Sequence, residues 1–590
     1  VGAILLSSSS AASDGGVLWK AGSGYGVVVS SPIAHDLDND GYLDVVLACK
    51  DGKAHAFSGD GQGEVDGWPV WIGYEYNLQF PGWPSAAIGD INFDGKAEVV
   101  IGSVGHQMGA TERVYAFWPK TDGVHSMILP GWPKDGTQYA FVNSAVVADA
   151  NLDGTVDVNA VDECCYWFMC DGVGALLQEG LVVDEAALVY GSPALADVGW
   201  SYPTPGGGFD GPVPPPPPVN SDLMADLVVG CWWYDPEQLC AFSTVYSYPP
   251  PKGDGLGQPV EGFPKGTQEQ AWVFSSPALF DLNGDGLHEP VVGWSDGTVR
   301  WFPTDYEWPY DVITFGRTHT VPQQGPALGF FWYSSPALAD LDGGGLDFVI
   351  GGDDGYLYAY HLDDEDPSPV WGSEQDPGVA LSAEDEAAIS SSPVIADIDN
   401  DGVLECVVGA DNGFVYAVDA SGQVERTWDC TNGDPDHAWI ASTPLITDLD
   451  PASGSCEIIV ANGQGVWMLW CGETRNSVAW NPNSAPWPCF RGNEGRTGCS
   501  PPARVSPIRG SVGARIADQG DWPDPDLHPK VKVDNQPWHT AVEDGRCILD
   551  MLPIGWHTIW GHCDGYQDQS EAVYIQRGQR TVATFDFGGG

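Results

Sequence analysis

Short apolar runs alternate along most of this chain with Gly, Asp and Asn. Gly355-Tyr-Leu-Tyr-Ala-Tyr360 and Gly413-Phe-Val-Tyr-Ala-Val418 alternate with period two. That pattern, bounded by turn residues, predicts short β-strands. Each such strand follows an apolar run of the Val-Val-Gly kind and a Gly turn. Each Val-Val-Gly run in turn follows a small-residue strand and an acidic loop. The small-residue strands read Ser30-Ser-Pro-Ile-Ala, Ser192-Pro-Ala-Leu-Ala, Ser275-Ser-Pro-Ala-Leu, Ser334-Ser-Pro-Ala-Leu-Ala and Ser391-Ser-Pro-Val-Ile-Ala. Units start at Asp36, Asp90, Asp149, Asp197, Asp281, Asp340, Asp397 and Asp448. A β-rich unit recurring about every 50 residues means propeller blades, each too small to bury its own faces. The expected fold is all-β, with eight units forming an eight-bladed β-propeller.

Five of the loops share one acidic pattern. Their side-chain oxygens come from Asp36, Asp38, Asp40 and Asp44; from Asp90, Asn92, Asp94 and Glu98; from Asp149, Asn151, Asp153 and Asp157; from Asp281, Asn283, Asp285 and Glu289; and from Asp397, Asp399, Asp401 and Glu405. These are loop positions 1, 3, 5 and 9, with Gly at position 6. Hard cations such as Ca²⁺ take six to eight oxygen ligands, and a tight Gly turn folds alternate side chains onto one point. An EF-hand shares the first half of the pattern but needs 12 residues and flanking helices. Here the ninth residue runs directly into a strand. Five copies at one place in a repeat argue for Ca²⁺ sites rather than solvated turns.

Three loops are degenerate, and weak or absent metal is expected there. Asp340, Asp342 and Asp347 stand in a loop one residue short. Asp448 and Asp450 reach Glu457 through Pro-Ala-Ser-Gly-Ser-Cys. The loop after Asp197 is interrupted by an insertion at about residues 200–221, which holds the proline run Pro214 to Pro218. That run predicts an extended polyproline segment.

With these loops and strands in view, residues 17–502 resemble the FG-GAP repeat family, the calcium-loop propellers of integrin-like heads and many secreted bacterial proteins. The Ser-Ser-Pro-Ala-Leu-Ala-Asp-Leu-Asp style of unit looks most like the bacterial branch; the integrin branch has seven blades. Trp487-Pro-Cys-Phe-Arg-Gly-Asn-Glu-Gly-Arg-Thr-Gly498 is similar to a motif that often flanks such propellers, and to propellers of the quinoprotein type. Residues 503–590 lack the acidic repeats and alternate instead, as in Lys530-Val-Lys-Val and Thr581-Val-Ala-Thr-Phe, with turns every ten or so positions. This is a β-sandwich pattern. The run Asp544-Gly-Arg-Cys-Ile-Leu-Asp with Gly565-Tyr-Gln resembles the carboxypeptidase regulatory-like domain, a prealbumin-type sandwich. The resemblance implies an accessory module without catalytic residues.

Charge narrows the partners. The chain carries 23 basic and 82 acidic residues, a net charge of −59. The five full loops hold 17 of the acids. Five Ca²⁺ would cancel ten charges, so most of the acidity lies elsewhere and repels polyanions. Nucleic acid is not expected as a partner, since its binding needs clustered Lys and Arg. No apolar run is long enough to span a bilayer. The 14 Cys form no C-x-x-C, so thiolate-metal and c-type haem sites are not expected. Cys164, Cys165 and Cys170, then Cys231 with Cys240, Cys456 with Cys471, Cys489 with Cys499, and Cys547 with Cys563 lie close in sequence. They fit disulfides in an oxidising compartment.

No nucleophile elbow, Walker loop or H-E-x-x-H occurs. Trp68, Trp83, Trp132 and Phe263 each follow Gly and precede Pro, and read as packing between repeats. Trp232, Trp233, Trp301, Trp308 and Trp332 are candidates for ligand contact. The reading is a secreted, non-enzymatic, calcium-stabilised structural or adhesive protein, extracellular or at the cell surface of a prokaryote. Its expected partner is a second copy, head to tail, or a cell-surface or carbohydrate ligand. The alternative is a calcium-dependent polysaccharide lyase or carbohydrate-binding propeller, which needs basic residues around a uronate and a base for its α-proton. Residues 1–16 form an extension in which Ile4, Leu5 and Leu6 are apolar assembly candidates followed by a Ser-rich tether.

Overall fold

The computed structural model describes residues 17–21, 30–49, 51–59, 63–73, 84–103, 113–120, 127–136, 141, 143–150, 155–163, 166–181, 189, 191–196, 226–231, 238–243, 258–259, 265–266, 273–280, 288–295, 297–301, 312–314, 334–362, 368–373, 376–381, 387–434, 438–449, 455–471, 480, 484–493, 509–517, 530–533, 539–540, 546–553, 555–562, 569–575 and 580–586. Ile4, Leu5, Leu6, Asn151, Asp153, Asp281, Asn283, Asp285, Asp450 and the insertion at 200–221 lie outside them. Among the described residues no helix is long and apolar enough to cross a membrane.

Every repeat contributes one antiparallel sheet. The first is Ile33–His35, Asp44–Cys49, Lys53–Phe57 and Val70–Trp71, paired in chain order. The same meander begins at Ala87–Gly89, Val146–Ala148, Ala194–Ala196, Ala278–Phe280, Ala337–Ala339 and Val394–Ala396. The last begins at Leu445–Thr447 and continues through Glu457–Asn462 and Gly465–Trp470. Its fourth strand is Val17–Ala21, from the other end of the propeller region, which pairs antiparallel with Gly465–Trp470. The first of the described strands thus closes the last sheet.

The second strand of each sheet is buried on both faces, and so reads as a continuous apolar run rather than an alternating one. Val45 packs in the cluster with Leu445 and Ile459 of the last sheet, while Val46 packs with Ile88 and Val99 of the next. Several of these strands end in Gly for a steric reason. A Cβ on Gly351 would lie 2.4 Å from Ile389 Cγ2, and one on Gly409 would lie 2.3 Å from Ile440 Cγ2. Each partner comes from the segment that leads into the following repeat.

The Ser-Ser-Pro signature has a structural cause. The first serine ties its own sheet: Ser30 Oγ accepts from Ala48 N–H at 3.2 Å, Ser334 Oγ from Gly351 at 2.9 Å and Ser442 Oγ from Ala461 at 3.0 Å. The second reaches the adjacent sheet. Ser31 N–H donates to Ser85 Oγ at 2.9 Å, Ser85 to Ser144 at 3.0 Å, and Ser144 to Ser192 at 2.9 Å. Ser192 donates to Ser276, Ser276 to Ser335 and Ser335 to Ser392, each at 2.9 Å. Thr443 N–H of the last sheet donates to Ser31 Oγ of the first at 3.0 Å. These buried bonds fasten the first strands of neighbouring sheets to one another, at about 1 kcal/mol net per bond. The proline that follows most of these serines begins the strand, where a missing N–H costs no ladder bond.

Trp68 and Trp132 hook neighbouring sheets, as their recurrence suggested. Trp68 Nε1 donates to Pro119 O at 2.8 Å and Trp132 Nε1 to Gly172 O at 3.3 Å. Trp83 and Phe263 lie outside the described residues. The segment after the last repeat runs along the inner strands. Ile395 N–H donates to Trp487 O at 2.8 Å, and Ile446 N–H to Pro488 O at 2.8 Å. Trp487 and Cys489 are buried there.

Residues 509–586 form two further sheets. In one, Arg509–Ala517 lies between Arg546–Pro553, antiparallel, and Arg580–Asp586, parallel. In the other the order is His539–Thr540, Lys530–Val533, Gly555–His562 and Gln569–Ile575.

Candidate metal centres on the repeat loops

Each acidic loop joins the first and second strands of its sheet. The first-position carboxylate organises the turn. Asp36 Oδ1 accepts from Asp40 N–H at 3.0 Å and Oδ2 from Gly41 at 3.1 Å. Asp90 and Asp397 make the same pair, to Asp94 and Gly95 and to Asp401 and Gly402, at 2.9–3.0 Å. Position 4 takes the left-handed conformation, with φ 60° at Asn39, 61° at Phe93 and 59° at Asn400. Position 6 lies at φ 94°, 88° and 91°, which is why it is Gly in all three loops.

The turn aims the remaining carboxylates inward. One oxygen each of Asp36, Asp38 and Asp40 lies within 4.8 Å of the others, and the same holds for Asp397, Asp399 and Glu405. The ninth position does more than the loop pattern showed. Asp44 Oδ2 accepts from Leu37 N–H at 2.9 Å, Glu98 Oε2 from Ile91 at 3.0 Å, Asp157 Oδ2 from Ala150 at 3.2 Å and Glu405 Oε2 from Ile398 at 2.8 Å. The degenerate loops keep this bond, from Leu341 to Asp347 at 2.8 Å and from Leu449 to Glu457 at 2.9 Å. The carboxylate that opens the second strand is therefore a strap between loop and strand in these six repeats. In the first loop its other oxygen is also engaged, by Gly59 N–H at 3.3 Å. Asp44 stands apart from the Asp36, Asp38 and Asp40 group for this reason.

The electrostatics fit a cation. Burial, with Asp94 and Asp90 close by, pushes the Glu98 carboxyl up to about 8. Burial pushes Glu405 up to about 8 as well, with Asp399 and Asp397 adding to it. Asp44 is pushed up to about 6 by burial, against the pull of its backbone hydrogen bonds. Asp38 is raised by burial and by Asp40. Its Oδ1 is buried with no hydrogen-bond partner. Carboxylates packed this closely need a proton or a cation between them. An all-oxygen donor set of this charge suits a hard divalent ion. Asp149, Asp157 and Glu289 occupy the matching places in their repeats, beside loop residues outside the described set.

The sixth loop differs. Asp340 Oδ1 accepts from Gly343 and Gly345 N–H, at 2.7 and 3.4 Å. Asp342 and Asp347 group with His361, a residue that the loop pattern did not single out. Trp301, a sequence candidate for ligand contact, is 2% exposed and packs in the core, so it touches no outside ligand. Trp232, Trp233, Trp308 and Trp332 lie outside the described residues.

Of the cysteine pairs, one is brought together. Cys456 and Cys471 are both fully buried, with sulfurs 2.9 Å apart. They flank the strand pair in which Glu457 faces Trp470. Cys231 and Cys240 are not directly opposite, since Val229 faces Cys240 and Cys231 faces Gln238. Cys164, Cys165, Cys499 and Cys563 lie outside the described residues. Thiol titration of the denatured, unreduced protein is expected to find Cys456 and Cys471 blocked; peptide mapping that recovers both as free thiols would overturn the pairing.

A family model described as the FG-GAP-like repeat matches residues 36–101, which hold the first two loops. No curated protein matches the chain. Among solved structures the chain is similar to BamB from Moraxella catarrhalis, at 13% identity and TM-score 0.40, over 75% of this chain and 99% of that one. It is similar to BBS1N in complex with ARL6DN, at 11% identity and TM-score 0.38, over 79% and 99%. A europium-containing methanol dehydrogenase is similar at 11% identity and TM-score 0.44, over 76% and 85%. The succession of antiparallel meanders, the last of them completed by Val17–Ala21, makes the fold a β-propeller, and residues 36–101 within it match an FG-GAP-like repeat.

Proposed function

We propose that this protein is a secreted, calcium-stabilised, non-enzymatic scaffold of a prokaryotic cell surface, structural or adhesive in role. In this reading the propeller has eight blades, closed by Val17–Ala21, and residues 503–590 are a prealbumin-type sandwich that serves as an accessory module. The observation that carries it is the loop geometry: carboxylates clustered in the first and seventh loops, with Glu98 and Glu405 raised by burial and by neighbouring carboxylates, on sheets fastened to one another by serines. Such loops would hold Ca²⁺ through Asp36, Asp38 and Asp40, or through Asp397, Asp399 and Glu405, with no cation-dependent chemistry required. Sites of this kind fill at the calcium levels met outside cells. Three arginines serve the fold: Arg300 stacks on Trp294, Arg113 pairs with Asp135, and Arg426 donates to Cys471 O.

Self-association is the partner this reading favours. Burying Ile4, Leu5 and Leu6 against a neighbour would be worth roughly 4–8 kcal/mol before ordering costs. Strand addition to an open sheet edge is one way to do it, and head-to-tail contacts that do not close give filaments. The test is mass in solution, with calcium, for the full chain and for a variant lacking residues 1–8. The full chain is expected to form concentration-dependent oligomers that the deletion abolishes. A full chain that stays monomeric at high concentration, or oligomers that survive the deletion, would rule out this mode of assembly.

A further inference from the structure

The sixth repeat lost what a calcium loop needs and gained an imidazole. Its loop, Asp340-Leu-Asp342-Gly-Gly-Gly-Leu-Asp347, is one residue short and has no fifth-position carboxylate. Opposite Asp347 on the next strand stands His361. The matching partners elsewhere are Asp171, Ser243, Asp419 and Trp470, none of them a histidine.

Both imidazole nitrogens face carboxylates, in different ways. His361 Nδ1 lies 2.6 Å from Asp347 Oδ1, a hydrogen bond. Asp347 is fully buried, and its Oδ2 is held by Leu341 N–H at 2.8 Å. It therefore fixes the ring and places the proton on Nδ1, leaving Nε2 as the basic nitrogen. Nε2 points to Asp342 Oδ2 across 3.9 Å, too far for a hydrogen bond. Two ligands of one tetrahedral ion, each at about 2.0–2.1 Å, stand some 3.3 Å apart, so a small shift of the half-exposed Asp342 completes the fit. A carboxylate that orients a ligating histidine through its other nitrogen is the usual outer shell of such sites.

We propose that Asp342 and His361 form a binding site for a borderline divalent transition ion of the Zn²⁺ class, with Asp347 as the positioning residue and water filling the rest of the coordination sphere. The imidazole sets the preference. Nitrogen donors favour zinc-class ions, and a hard Ca²⁺ gains little from them. With the loop shortened, too few oxygens converge for Ca²⁺. The sixth repeat would then bind a different metal from its neighbours, and the site stands whether or not the other loops hold calcium.

The experiment uses the full chain in excess Ca²⁺, incubated with Zn²⁺ and passed through gel filtration, with both metals then measured per chain. Co²⁺ as a spectroscopic stand-in reports nitrogen ligation. His361→Asn keeps an amide donor at the Nδ1 position for Asp347 while removing the metal-binding nitrogen. Asp342→Asn leaves the His361–Asp347 pair intact. The wild type is expected to keep one more Zn²⁺ than either variant, with calcium content equal in all three. Equal zinc in the wild type and both variants would overturn the proposal. So would zinc that excess Ca²⁺ displaces in proportion to its concentration.

Discussion

Stripping calcium from the full chain is expected to lower its melting temperature by about 10 °C or more. A ligand present at 100 times its dissociation constant stabilises the native state by about 2.7 kcal/mol per site. Several loops acting together on a chain this long give a shift of that order. Mg²⁺ is expected to restore little, because it demands a tight octahedron and sheds water reluctantly. The loss also depends on pH. Without a cation, Glu98 and Glu405 hold their protons up to about 8 in the folded chain, well above the ordinary glutamate value of 4.5. The folded state then binds more protons than the unfolded one, so metal-free stability falls as pH rises from about 4.5 to about 8. Calcium replaces those protons, and its affinity rises over the same range. The chelator effect is thus expected to be larger at pH 8 than at pH 5.5. Equal melting curves with and without chelator at both pH values, once metal release is verified, would contradict this.

The second large effect concerns ring closure. Deleting residues 1–21 removes the strand that pairs Val17 with Leu469 and Ala21 with Val466. The Gly465–Trp470 strand then presents an open edge, which templates aggregation. The Thr443–Ser31 hydrogen bond loses the sheet that braces it. The truncated chain is expected to be largely insoluble, and a synthetic peptide covering residues 14–24, added during refolding, to recover folded protein. A truncated chain that is monomeric and melts like the full chain would show that the closure strand is dispensable.

Much of this architecture was legible in the sequence because it is local. The Asp-x-Asp-x-Asp-Gly spacing encodes a turn that needs left-handed backbone at two fixed positions, and Asn39, Gly41, Asn400 and Gly402 adopt it. The Val-Val-Gly strands and alternating strands follow from burial on two faces or one. What was illegible is carried by long-range geometry. The serine bonds join residues 48 to 84 apart, and the one from Thr443 to Ser31 spans 412 positions. Nothing in Ser-Ser-Pro itself tells which serine turns outward to the next sheet. His361 lies 14 residues beyond Asp347 and meets it only through strand register. The ninth carboxylate looked like a metal ligand alone, and its bond to the second loop position shows a structural duty that survives in the degenerate loops. Trp301 looked available for a ligand because composition cannot tell an inward tryptophan from an outward one.

The central claim is that the acidic loops hold calcium in the folded chain. Metal analysis of the purified protein, gel-filtered into calcium-depleted buffer, tests it most directly when the wild type and Asp399→Ala are compared. Asp399 is buried beside Asp397 and Glu405, so its loss empties one loop and leaves the rest of the ring intact. The account predicts several calcium ions per wild-type chain and one fewer in the variant. A calcium-free wild type that is fully folded, or identical calcium content in the two proteins, would contradict it.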